Sequence, residues 1–165
     1  RLAITIDGFE DRYDAAVEKV HSADAEQRSE AARFMREIIA KDERFWQPHL
    51  MLALAVRESE GDAAALSHLM NAVRLRPNNA QIRQLIAGIL RKQGRPREAV
   101  EHLRAVVALN PRDVEPVVTL AGTMRDANMF DEARQVCTTA LQMIPDHPQF
   151  KAILASLPPP KDQQN

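Results

Sequence analysis

The chain has 165 residues, 45% of them apolar, with only five glycines and 4% aromatics. That composition suits one helical domain with an aliphatic core and leaves little room for other architectures. A net charge of −1 and a pI near 6.6 exclude the global positive field of a phosphate-binding protein, and the lone Cys137 excludes an internal disulfide.

In chain order, Leu2, Ile4 and Ile6 alternate with Ala3 and Thr5, a short extended signal over 1–8. It reads as a stray segment lying on the first helix, or as a strand shared with a neighbouring domain or a second subunit. Phe9, Tyr13, Ala16, Val17 and Val20 then predict an amphipathic helix. From Trp46 onward the pattern becomes periodic. Pro77, Pro111 and Pro145 stand 34 residues apart and close the matching segments Leu-Arg-Pro, Leu-Asn-Pro and Met-Ile-Pro. The same step relates Ala65, Ala99 and Ala133; Leu69, Leu103 and Cys137; and Ala72, Val106 and Ala140. It also relates Leu52, Ile86 and Leu120; Ala53, Ala87 and Ala121; and Val56, Leu90 and Met124. A fixed period of this size means stacked helical hairpins. Cys137 occupies the station of Leu69 and Leu103, so it is expected in the core. Gly61, Gly94 and Asn128 fall at the breaks between helices. Asn79 and Asp113 stand where N-caps belong, and Pro48, Pro96 and Pro116 lie in first turns, where proline is tolerated.

This pattern resembles the tetratricopeptide repeat, over Trp46 to His147. The resemblance implies an all-α fold, a right-handed solenoid of helical hairpins with three full repeats at 46–79, 80–113 and 114–147. It departs from the family in small ways: His49, Arg83 and Val117 replace aromatic residues, and alanine stands where glycine usually follows the leucine. Stepping the pattern back by 34 matches Ala31, Met35, Ile38 and Ile39 to a second helix, with Glu43 in place of proline. The first helix is out of register, so 9–45 reads as a degenerate, capping hairpin. Downstream, Phe150, Ile153, Leu154 and Leu157 predict a closing helix over 148–157, and Pro158, Pro159 and Pro160 begin a Pro-rich tail over 158–165.

No Gly-rich phosphate loop, metal-ligand doublet or nucleophile motif is present. The chain is expected to be non-catalytic as it stands, without cofactor or metal. His68 and His102, one repeat apart, are too distant to share a metal and are expected at the surface. Asp146 and His147 read as an inter-repeat turn. No apolar run approaches a membrane span, and no secretory signal pattern is seen, which favours the cytoplasm; the start at Arg1 without methionine reads as a fragment or processed product.

The resemblance also implies a concave groove lined by the first helix of each repeat, which carries over to Gln47, Leu50, Met51, Leu54 and Arg57; to Gln81, Gln84, Leu85, Gly88, Arg91 and Lys92; and to Glu115, Val118, Thr119, Gly122 and Arg125. Gly88 and Gly122 remove bulk in consecutive repeats, either to relieve helix packing or to make a floor for a bound chain. Arg57, Arg91 and Arg125 form a ladder suited to carboxylates, beside aliphatic residues expected to be exposed. The clamp by which some family members hold a chaperone's C-terminal carboxylate is not matched at Leu50, Leu54, Leu85, Glu115 and Thr119. The expected role is a scaffold or adaptor binding an acidic or amphipathic protein segment. Two alternatives are a targeting or regulatory module of a larger enzyme and a secretion-type chaperone for an unfolded client. Charge is uneven, with eight acids against three bases in 7–30 and six bases against two acids in 83–104. This reads as solvated helix surface or as a contact between subunits.

Overall fold

In a computed structural model, residues 9–160 are described, and all regular structure among them is helical. The short extended segment expected over 1–8 lies outside the described residues, as does the end of the Pro-rich tail. Eight helices follow in order: α1 (Phe9–Val20), α2 (Ala25–Lys41), α3 (Trp46–Leu75), α4 (Ala80–Lys92), α5 (Pro96–Leu109), α6 (Val114–Asp126), α7 (Phe130–Met143) and α8 (Pro148–Ser156). The chain divides into two compact units, and the division falls within α4 between Ile82 and Arg83.

In the first unit, α1 packs on α2 and α3, and α2 packs on α3. The stripe that made α1 legible points inward: Ala16 and Val20 are buried, and Phe9, Tyr13 and Val17 pack beside them. They meet Ala31, Ala32, Phe34, Met35 and Ile38 from α2 and Leu52, Ala55 and Val56 from α3. Asp24 caps α2 by accepting the Glu26 backbone N–H at 2.8 Å, which satisfies one of the donors that a helix start leaves free. At Gly61 (φ 89°, ψ 172°) α3 is not helical, so it is two arms, 46–60 and 62–75, joined at one residue. That backbone conformation is open to glycine and strained for most other residues.

The second unit repeats one turn twice. Gly94 (φ 70°) and Asn128 (φ 60°), 34 residues apart, both adopt the left-handed conformation, which glycine and asparagine tolerate best. After Gly94, the Arg95 N–H donates to the Leu90 carbonyl at 2.9 Å; after Asn128, the Met129 N–H donates to that of Met124 at 2.9 Å. The helix ends are thus closed in the same way. Asp113 caps α6 by accepting the Glu115 N–H at 3.3 Å, and Asn79 accepts the Ile82 N–H at 3.0 Å at the start of α4. The core joins Val118 and Ala121 of α6, Cys137 and Ala140 of α7, and Phe150 and Ile153 of α8. Cys137 is fully buried, and that burial pushes its thiol pKa up, so it serves as a small apolar residue. Beyond α8, Leu157 is buried and the Pro158 carbonyl accepts from the Arg134 guanidinium.

Candidate functional site

The residues expected along the groove fall into three states. Gln81, Gln84, Gly88, Arg91 and Lys92 are exposed on α4, and Glu115 is exposed in the first turn of α6. Gln47, Met51, Leu54, Arg57, Leu85, Thr119, Gly122 and Arg125 are half-buried. Leu50 and Val118 are buried, at 2% and 9% exposure.

These last two correct the expectation of an open aliphatic face. Val118 belongs to the core of the second unit. Met51 and Leu54 are also spent on packing, against the core that α1 and α2 build with α3. Repeat position identifies a face only to within a residue or so, because neighbours on a helix differ by about 100° in direction. Apolar residues at the edge of the stripe turn inward when a neighbour can bury them.

The arginine ladder is likewise uneven. Arg57 donates from Nε to Asp62 Oδ1 at 2.6 Å. Arg125 donates to Asp126 Oδ1 from Nε at 3.0 Å and from Nη2 at 2.9 Å, and its Nη1 lies 3.4 Å from Ser156 Oγ. Arg91 and its neighbour Lys92 make no ion pair among the described residues. The competing carboxylates stand at helix ends, Asp62 opening the second arm of α3 and Asp126 closing α6, outside the repeat pattern that revealed the ladder.

The glycines are informative. Both Gly88 and Gly122 lie inside helices, and a Cβ built on either would meet nothing within 4 Å. Close packing within the described chain therefore does not account for them. A mid-helix glycine costs about 1 kcal/mol relative to alanine, so two in register are a standing cost with no return in contacts.

The histidines differ from expectation. His68 and His102 are half-buried, and each has a buried Nδ1 without a hydrogen-bond partner. His68 faces His49, with ring centroids 6.3 Å apart. These two are 19 residues apart, so a search by repeat step passes over them; aligning the first arm of a hairpin with its second would have paired them. Among the described residues no group of three or more His, Cys, Asp or Glu could hold a metal, and no helix is long and apolar enough to cross a membrane.

Two family models described as tetratricopeptide repeat match residues 50–114 and 90–157. The chain belongs to the tetratricopeptide repeat family. Tetratricopeptide domains bind proteins or peptides, and as a rule they are scaffolds without catalysis of their own. No curated protein matches the chain. Among solved structures, "MamA 41-end from Desulfovibrio magneticus RS-1" aligns with a TM-score of 0.71 at 17% identity, over 92% of this chain and 84% of that one. "YrrB: a TPR protein with an unusual peptide-binding site" aligns with a TM-score of 0.69 at 17% identity, over 90% of this chain and 78% of that one. At such identities the likeness shows the fold alone: the all-α class of tetratricopeptide hairpins.

Proposed function

We propose that the chain is a non-catalytic scaffold that binds an extended protein segment on the first-helix faces of its repeats, with Gly88 and Gly122 as the floor. The single observation that carries this reading is the open space at both glycines. A helix that gives up a side chain at the same station in consecutive repeats, with nothing of its own packed there, leaves room for backbone to approach closely. The peptide-binding site named for YrrB, a protein of the same fold, lends support by analogy only.

Charge refines the partner. Arg91 and Lys92 stand exposed in the last turn of α4, free to receive a carboxylate, whereas Arg57 and Arg125 would have to exchange Asp62 and Asp126 for it. The partner is therefore an apolar or mixed segment carrying at least one acidic side chain near Arg91.

The test begins with capture of partners from the native organism and their identification. The partner segment is then titrated into wild type and Arg91→Glu at low and high salt. Arg91→Glu should weaken binding by about 1–3 kcal/mol, as charge-assisted hydrogen bonds do, and wild-type affinity should fall as salt screens the contact. Equal affinities for the two proteins would remove the acidic ligand from the proposal.

A further inference from the structure

One station recurs in all three hairpins with three different chemistries. In the first it pairs His49 on the arm 46–60 of α3 with His68 on the arm 62–75. One repeat on, the same positions are Arg83 and His102; two repeats on, they are Val117 and Val136. The valines pack against the core of the second unit, which is the ordinary use of a position between two helices. The first hairpin instead places two ionisable rings there.

Their surroundings suit the neutral form. His49 is 6% exposed, and its Nε2 lies 3.2 Å from the Glu43 carbonyl oxygen. If Nε2–H donates there, Nδ1 is left bare, and in both rings Nδ1 is buried without a partner. A proton added at Nδ1 would create a cation with no acceptor, 6.3 Å from the second ring. The charged groups facing the pair are Arg36 from α2, Glu43 before α3, and Glu60 and Arg74 on α3. The two arginines oppose further positive charge. Glu43 and Glu60 favour it, but Glu60 is engaged by Arg36.

We propose that His49 and His68 form a proton-sensitive latch in the hairpin of α3, closed while both rings are neutral and loosened when they take up protons. Burial, first, and then neighbouring positive charge hold both rings below the ordinary histidine value of 6.5. The unfolded or opened hairpin therefore binds protons before the closed one as pH falls. Closure is fully favoured above about 6.5, and the advantage is lost as pH descends from there through the depressed values of the closed state. The third hairpin, with valines at the station, has no such dependence.

Amide hydrogen exchange on the full chain at pH 7.5 and 5.0, corrected for intrinsic rates, tests this. Protection across 46–75 should fall about tenfold or more at pH 5.0, while α6 and α7 change little. Combining His49→Val with His68→Val copies the third hairpin and should abolish the fall. Should that variant fail to fold, ring titration by NMR in the wild-type chain decides: His49 and His68 should protonate over the pH range in which 46–75 loses protection. An unchanged 46–75 at pH 5.0, an equal loss in α6 and α7, a loss that persists in the valine variant, or ring protonation outside that range would overturn the latch.

Discussion

The hairpins α1–α2 and α6–α7 solve the same problem with different side chains. Where α1 meets α2, alanines at the crossing are flanked by Phe9 against Phe34, by Arg12 over the Phe34 ring at 4.5 Å, and by the ion pairs Arg12–Glu37 and Lys19–Glu30 at 3.1 and 2.7 Å. A recess of about 380 Å³ remains between these pairs, over Ala15, Ala16 and Phe34. Where α6 meets α7, Ala121, Ala133, Cys137 and Ala140 are buried, and no ion pair joins the two among the described residues. The regular hairpin is specified by smallness at fixed stations, which tolerates little added volume. The N-terminal one is specified by an aromatic anchor with polar edges, which tolerates more.

The largest effect should come from removing the ring that closes the regular hairpin. Phe150 is 1% exposed in the core shared by α6, α7 and α8, so Phe150→Ala should cost about 3–5 kcal/mol, read as a lower urea midpoint. A loss below 1 kcal/mol would mean that α8 is not needed to cover the small-residue joint.

Added volume sharpens the contrast directly. Ala133 is fully buried, and Ala133→Leu should cost about 1–3 kcal/mol through overpacking. The same change at Ala15, exposed at the recess of α1, should stay within about 0.5 kcal/mol. Thermal melts of the two variants that shifted equally would erase the distinction.

What the sequence made legible follows from that distinction. A 34-residue period is visible because Ala65, Ala99 and Ala133 each serve a close approach that excludes larger side chains, so the family and the all-α fold could be read from them. The caps Asp113 and Asn79 were legible for a local reason, a side-chain acceptor at the start of a helix. The finer face was not. Leu50 and Val118 turned inward, and Asp62 and Asp126 claimed two of the three arginines. The first outcome depends on neighbours that no single helix pattern contains; in the second the partners are local, Asp126 beside Arg125 and Asp62 five residues after Arg57, but they do not recur with the 34-residue step.

The smallest effect concerns the polar edges. Arg12 and Glu37 are each roughly half exposed (49% and 42%), so a double-mutant cycle should give a coupling of about 0.2–1 kcal/mol that shrinks with salt. A coupling several times larger would make the edge pairs, and not the aromatic anchor, the determinant of the N-terminal hairpin.

The central claim is that the glycine stations are kept for a ligand and not for packing. The most direct measurement pairs calorimetric titration of the captured partner segment with thermal melting, for wild type and for Gly88→Leu. Leucine gains helix propensity over glycine by roughly 0.5–1 kcal/mol and its Cβ meets nothing within 4 Å, so melting should rise while affinity falls at least about tenfold, or 1.4 kcal/mol. A variant that melts lower than wild type, or that binds the segment as tightly, would contradict the account.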